Sequence, residues 1–277
     1  MTSIFAGGID VFGISDVGRK RQQNEDHFVV ASMRKAIDLR QTNLADRQVF
    51  DAVQGPEAQL LAVADGMGGS AGGALASSTA VSELVEYMAG AAGCFNTMDT
   101  EHEHEFLAQL ERSVEHAHGR VKDKHSGGRG GGPATTLTMI TLIWPRAYIV
   151  HVGDSRAMYL HNGTLRTLTR DQTMGEALVD AGAMTAEAAA KSRLSSTLYS
   201  ALGAKDMMPS VGLVDFAPGD VLLICSDGLT KHVTDERISQ VLGEPVMAET
   251  MARKLVAEAL AGGGSDNVTV VVARMIG

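Results

Sequence analysis

Cysteine is nearly absent from this 277-residue chain: only Cys94 and Cys225 occur, far apart and in unlike surroundings. Two such residues build neither a disulfide framework nor a zinc knuckle, and their scarcity predicts a reducing, cytoplasmic compartment. Positive charge is also short. Lys and Arg total 24 against 33 Asp and Glu, a formal charge of −9, so nucleic acid and anionic membrane, which select basic faces, are not expected partners. No apolar run approaches the ~18 residues that a bilayer span requires. The opening MTSIFAGGID carries no basic leader and meets Asp10 early, unlike a signal peptide. What remains is a chain with 44% hydrophobic and 21% charged residues, enough to bury a sizeable core.

Short apolar or β-branched runs at 28–31, 60–64, 136–144, 147–152, 221–225 and 268–273 are bounded by Gly, Asp or Pro and read as strands. Asn162-Gly163 between two such runs is a two-residue hairpin signal, so antiparallel sheet is expected. Helix is expected over 74–92 and over 99–125, where Phe106, Leu110, Val114, Ala117 and Val121 recur near helical spacing, and again around 175–190 and 248–261. Strands and helices come in blocks, which favours an α+β layered domain over a doubly wound one. The weakly periodic stretch 33–59 reads as a surface insertion, and the SGGRGGG run at 126–132 as a segment without one fixed conformation.

The placement of acids is the informative pattern. Asp65, Asp154 and Asp227 each follow an apolar run, whereas Asp266 and the pair Glu25-Asp26 each precede one. In antiparallel pairs the start of one strand lies beside the end of its neighbour. Pairing 28–31 with 60–64 therefore brings Glu25 and Asp26 to Asp65, and pairing 221–225 with 268–273 brings Asp227 to Asp266. Six carboxylates gathered beside an apolar core would repel or take up protons unless divalent cations bind them. An all-oxygen donor set favours Mg²⁺ or Mn²⁺ over zinc or copper. Gly66, Gly68 and Ala71 also fit a dinucleotide fingerprint. That reading is rejected because Asp65 abuts the first glycine and no ribose-binding acid ends a second strand.

Taken in order, RQQNEDHF (21–28), VADGMGG (63–69), ATTL (134–137), VGDSR (152–156), LTRDQ (168–172), ALG (201–203), CSDGL (225–229) and SDNVTVVV (265–272) resemble the PPM-type, or type 2C, protein serine/threonine phosphatases, in their compact bacterial form without a membrane-anchoring tail. The resemblance runs from about Phe12 to Ala273. It implies a single domain over 1–277 with two packed antiparallel sheets flanked by helices on both outer faces, a four-layer αββα sandwich. It implies two Mn²⁺ or Mg²⁺ ions, Asp65 bridging them with the Gly66 carbonyl, Asp227 and Asp266 completing the set, and Asp154 helping to hold a third, weaker cation. Glu25 and Asp26 would act through water, and Arg21 would grip the substrate phosphate. The implied reaction is hydrolysis of phosphoserine and phosphothreonine in proteins by a hydroxide bridging the metals, with no phosphoenzyme. Phosphoproteins made by serine/threonine kinases are the implied partners, and a monomer is expected. The alternative is a catalytically silent signalling module of the same fold.

Other chemistries are excluded. A cysteine nucleophile would need an arginine six residues on, where Lys231 and Thr100 stand, and the D-x-H and G-N-H motifs of histidine-rich metallophosphatases are missing. Met67 stands where eukaryotic members carry a histidine assigned as general acid, so no side chain is named for that role. Gln172 likewise replaces a common histidine, and Ala134 a common glycine. His102, His104, His116 and His118 are read as solvated helix positions and Cys225 as a core residue. The stretch 171–205 is expected to form a mobile flap beside the metal centre, with Arg193 contributing to substrate choice.

Overall fold

The computed structural model describes residues 8–33, 58–68, 71–91, 100–124 and 132–276. Most of the 33–59 insertion, the glycine run at 126–131 and Cys94 lie outside the described residues. Among the described residues, eleven strands form two antiparallel sheets. β1 (Ile9–Asp16), β7 (Arg156–His161), β8 (Thr164–Thr167), β10 (Val221–Cys225) and β11 (Val268–Met275) make the first, in the order β1-β11-β10-β7-β8. β2 (Asp26–Met33), β3 (Ala58–Met67), β5 (Leu137–Ile143), β6 (Arg146–Val152) and β9 (Ser210–Asp215) make the second in that order, with the short β4 (Ala134–Thr135) beside β3.

Side-chain alternation explains the layering. On β3, Leu60, Ala62 and Ala64 face one apolar cluster while Leu61 and Val63 face another. The first cluster is closed by helices α1 (Ala71–Ala91) and α2 (Thr100–Asp123), whose Leu84, Met88, Phe106, Leu110, Val114 and Val121 are buried. The second lies between the sheets and joins Leu61, Val63, Ile140 and Ile149 to Leu222, Ile224, Val271 and Ala273. A third packs the outer face of the first sheet against later helices through Ile238, Val241, Met251, Leu255 and Ala259. Helix, sheet, sheet and helix are thus stacked in the expected αββα order. Strands buried on both faces favour apolar residues at successive positions, which is why 60–64 of β3 and all of β10 read as continuous hydrophobic runs, while buried Thr138 and Thr141 interrupt β5.

The two strand pairings expected from sequence are present: Phe28 lies opposite Val63 and Ala31 opposite Leu60, and Cys225 lies opposite Val270. Asn162 and Gly163 both take positive φ, as a tight hairpin between β7 and β8 requires. Several elements differ from expectation, among them the short β4, which was not expected. β1 and β9 were not expected; both are edge strands, and partial exposure dilutes their apolar pattern, with Leu213 49% exposed. The 175–190 helix is two helices, α3 (Met174–Asp180) and α4 (Ala186–Ala190), separated by a turn with Gly182 at φ +68°. A 3₁₀ turn, Arg193–Ser196, follows. The remaining helices among the described residues are α5 (Asp227–Thr230) and α6 (Asp235–Leu242), neither of them expected, and the expected α7 (Ala248–Ala261). Among the described residues no helix is long and apolar enough to cross a membrane.

Candidate metal centre

The acids meet because strand ends from both sheets share one rim. Asp26 opens β2 directly opposite Asp65 in β3. Its Oδ2 accepts hydrogen bonds from Ser226 (2.8 Å) and Thr269 (2.7 Å), both in the other sheet's segments, so one carboxylate joins the two sheets. Asp65 is fixed through its backbone: its N–H donates to the Thr136 hydroxyl, and its carbonyl accepts from the Thr136 N–H and the Thr135 hydroxyl. Gly66 follows in a passage too narrow for a side chain, where a Cβ would lie 2.3 Å from the Gly73 carbonyl oxygen.

Asp227 leaves the end of β10 and begins the single-turn α5. Its Oδ2 lies 2.6 Å from Lys231 Nζ, and the same ammonium is 2.9 Å from Asp266 Oδ2. Asp266 also receives the Arg21 guanidinium, with Nε 2.8 Å from Oδ1. Asn267 locks this corner: its amide donates to the Val17 and Gln23 carbonyls, and its oxygen accepts the Glu25 N–H. Asp154 follows Gly153, whose φ of +107° lets the chain turn past Thr136.

Arg21, Glu25, Asp65, Gly66, Asp154, Asp227, Lys231 and Asp266 line one cavity of about 250 Å³, whereas Asp26 is not part of its wall. Met67 and Ser196 of the 3₁₀ turn also reach it, so the 171–205 segment does border the acids. That segment is folded rather than loose at its base, where Arg156 grips Asp171 with two hydrogen bonds of 2.9 and 2.7 Å. Gln172, buried, accepts from the Gly153 N–H and donates to the Met208 carbonyl. Arg193 is exposed on the 3₁₀ turn.

The electrostatics are those of a site short of positive charge. Burial, then the nearby carboxylates Asp26 and Asp227, push Asp65 well above the ordinary carboxylate range. Burial raises Asp26 to about 6 against the hydrogen bonds from Thr269 and Ser226. Burial and the charges of Asp227 and Asp171 lift Asp154 to about 7. Asp227 is raised by burial despite Lys231. Asp266 alone of the set is lowered, because Lys231 and Arg21 outweigh its burial.

Do these residues suit a divalent cation? Among the described residues, four buried side-chain oxygens have no hydrogen-bond partner, and three belong here: Glu25 Oε1, Asp26 Oδ1 and Asp227 Oδ1. Buried oxygens without donors are rare in folded proteins and call for an explanation such as an ion or water. The donors are all oxygen, as Mg²⁺ and Mn²⁺ prefer. No three acid, histidine or cysteine side chains among the described residues already surround a single point. Between Asp227 and Asp266, the intervening position is held by Lys231 Nζ.

The family model for protein phosphatase 2C matches residues 40–262. The chain belongs to the protein phosphatase 2C family. Within that family it is 37% identical to the serine/threonine protein phosphatase PstP of Mycobacterium tuberculosis over 220 residues, 79% of this chain but 41% of that protein. It spans about two fifths of that relative's length. Protein phosphatase PhpP of Streptococcus pneumoniae is 31% identical over 95% of this chain and 96% of its own length. The crystal structure of M. tuberculosis PstP/Ppp superposes with a TM-score of 0.76 at 32% identity, covering 97% of this chain and 99% of that one. The PstP catalytic domain in complex with two manganese ions gives 0.74 at 31% identity, with the same coverage.

Several residues of this 2C-family centre were not singled out from the sequence. Ser226 and Thr269 (holding Asp26), Thr136 (holding Asp65) and Asn267 act on partners distant in the chain, and Lys231 acts on both nearby Asp227 and distant Asp266. Thr136, Ser226, Asn267 and Thr269 all lie within the quoted motifs, the last three close to an acid, which was the available signal. Among the histidines, His118 is not simply solvated: it is half-buried and accepts the Gly203 N–H at 3.1 Å, and burial lowers its pKa. His116 is exposed and lies 3.3 Å from Glu83. Cys225 is fully buried, and burial raises its thiol to about 12, consistent with a core role.

Proposed function

We propose that this chain is a divalent-metal-dependent phosphatase that hydrolyses phosphoserine and phosphothreonine in proteins. One observation carries the reading: Asp65, Asp227 and Asp266, from chain-distant segments, line a single cavity whose wall also holds buried acid oxygens without donors. The family membership and the manganese-bound relative support it.

In this reading Asp65, the Gly66 carbonyl, Asp227 and Asp266 would hold two ions, Mn²⁺ or Mg²⁺, and Asp154 would contribute to a third. When bound, such ions lower the pKa of water toward neutrality and neutralise charge on a phosphoryl group. Glu25 and Asp26, whose free oxygens point to water-mediated roles, orient the coordination shell. Arg21 presents a planar fork at the cavity mouth, suited to a phosphate. Its Nε and Nη2 hold Asp266, so a phosphate would meet the remaining Nη1 edge of this half-exposed side chain. Met67 has no proton to give to the departing seryl oxygen, and no other side chain is assigned to that task. The 171–205 segment acts as a flap whose exposed Arg193 faces incoming peptide. The chain acts as one domain and as a cytoplasmic monomer, on phosphoproteins made by serine/threonine kinases. A silent module of this fold would lack one of the metal-binding acids, and here all are present.

The test is hydrolysis of a chromogenic phosphate ester and of a phosphothreonine peptide with Mn²⁺, with chelator, and with Asp227→Ala. Turnover should require metal and fall at least ~10²-fold in the variant. Metal-independent turnover or an unimpaired variant would overturn the mechanism.

A further inference from the structure

A lysine stands where the two acids would otherwise share an ion. Lys231 follows α5 and lies four residues after Asp227, the spacing at which side chains on a helical turn meet. Its backbone N–H donates to the Asp227 carbonyl at 2.9 Å, which aims the side chain back along the turn. Nζ then reaches Asp227 Oδ2 at 2.6 Å and Asp266 Oδ2 at 2.9 Å. The two acids come from separate segments, β10–α5 and the start of β11, and this ammonium is the direct link between their side chains. Arg21 lies on Asp266 as well but does not reach Asp227.

A divalent ion shared by these carboxylates would need oxygen contacts of roughly 2.0–2.6 Å. An ammonium at 2.6 and 2.9 Å occupies the Oδ2 atom of each carboxylate, leaving Asp227 Oδ1 without a donor, and a divalent ion bridging the pair beside it would meet strong like-charge repulsion. The two cations therefore exclude one another. Lysine suits the exchange, being a compact charge on a flexible four-carbon stem. Its side chain is 38% exposed, so a route outward is open.

We propose that Lys231 is a tethered competitor for metal: it fastens Asp227 to Asp266 when no divalent cation is bound, and swings out as the ion enters. This rests on reading the cavity as a metal site. Lys231 then sets the metal concentration at which the centre fills, and the acids stay positioned before it does.

Calorimetric titration of Mn²⁺ into the wild-type chain and Lys231→Met tests this without reference to turnover. Removing the competitor should tighten Mn²⁺ binding about tenfold, the scale of releasing a partly buried ion pair. It should also lower the melting temperature of the chelator-treated protein and enlarge the rise on adding Mn²⁺. Unchanged or weaker Mn²⁺ binding by the folded variant would overturn the proposal while leaving the metal site intact. No Mn²⁺ binding by the wild-type chain would overturn both. A second measurement needs no variant: brief acylation of the wild-type protein, read by peptide mass spectrometry with Lys205 as exposed reference. Lys231 should react faster with Mn²⁺ than with chelator, and an equal or slower rate would count against displacement.

Discussion

The Asn267 side-chain oxygen accepts the backbone N–H of Glu25 at 2.8 Å, across 242 residues of chain. Through the same side chain the loop before β2 is held against the turn that carries Asp266. Asn267→Ala removes three hydrogen bonds at a buried position and leaves their partners unmatched. It should destabilise the fold by about 3 kcal/mol in urea titration and weaken Mn²⁺ binding as Asp266 loses its support.

The raised acids predict an unusual pH response. Asp26 near 6 and Asp154 near 7 bind protons in the folded state that they release when unfolded, where their values are near 3.8. Unfolding then releases protons over that window, so stability falls as pH rises through it. In chelator, the melting temperature should climb as pH drops from 8 to 5. Saturating Mn²⁺ should flatten or reverse that slope, because metal replaces the protons. A chelated protein that is most stable at pH 8 would contradict the assignment.

Two glycines should respond in opposite directions. A Cβ at Gly228 would lie 1.9 Å from the Asn267 carbonyl oxygen, in the seam between Asp227 and β11. Gly228→Ala must displace backbone and should cost more than about 3 kcal/mol or prevent folding. At Gly119, inside α2, a Cβ meets nothing within 4 Å. Gly119→Ala should raise stability by about 0.5–1 kcal/mol through helix propensity, as thermal melts would show.

The flap base can be loosened without touching the acids. Arg156→Lys replaces a two-bond fork on Asp171 with a single point charge. The expected cost is about 1–2 kcal/mol, given a pair largely shielded from solvent. Hydrogen exchange should quicken across 172–200 more than in β3 or β10.

Much of this arrangement was legible because acids that end apolar runs must lie at a sheet rim, and antiparallel pairing decides which ones meet. Asp26 opposite Asp65 follows from that rule alone. The edge strands were harder: β9 exposes Val211 and Leu213, so its apolar pattern carries no clear period. The break between α3 and α4 was visible as Gly182, but the alanine-rich flanks hid it. Lys231 was opaque for another reason. A lysine after a short turn looks like any surface cation until the fold brings Asp266, 35 residues on, within reach.

The closing strand serves two parts of the molecule at once. Asp266 stands at the entrance to β11, and β11 slots between β1 and β10, with Ile9 beside Met275. Without β11, β1 and β10 have no shared neighbour, Asp26 loses the Thr269 hydroxyl, and Asp266 is not delivered to the cavity. One strand thus couples the integrity of the first sheet to the completeness of the acid rim.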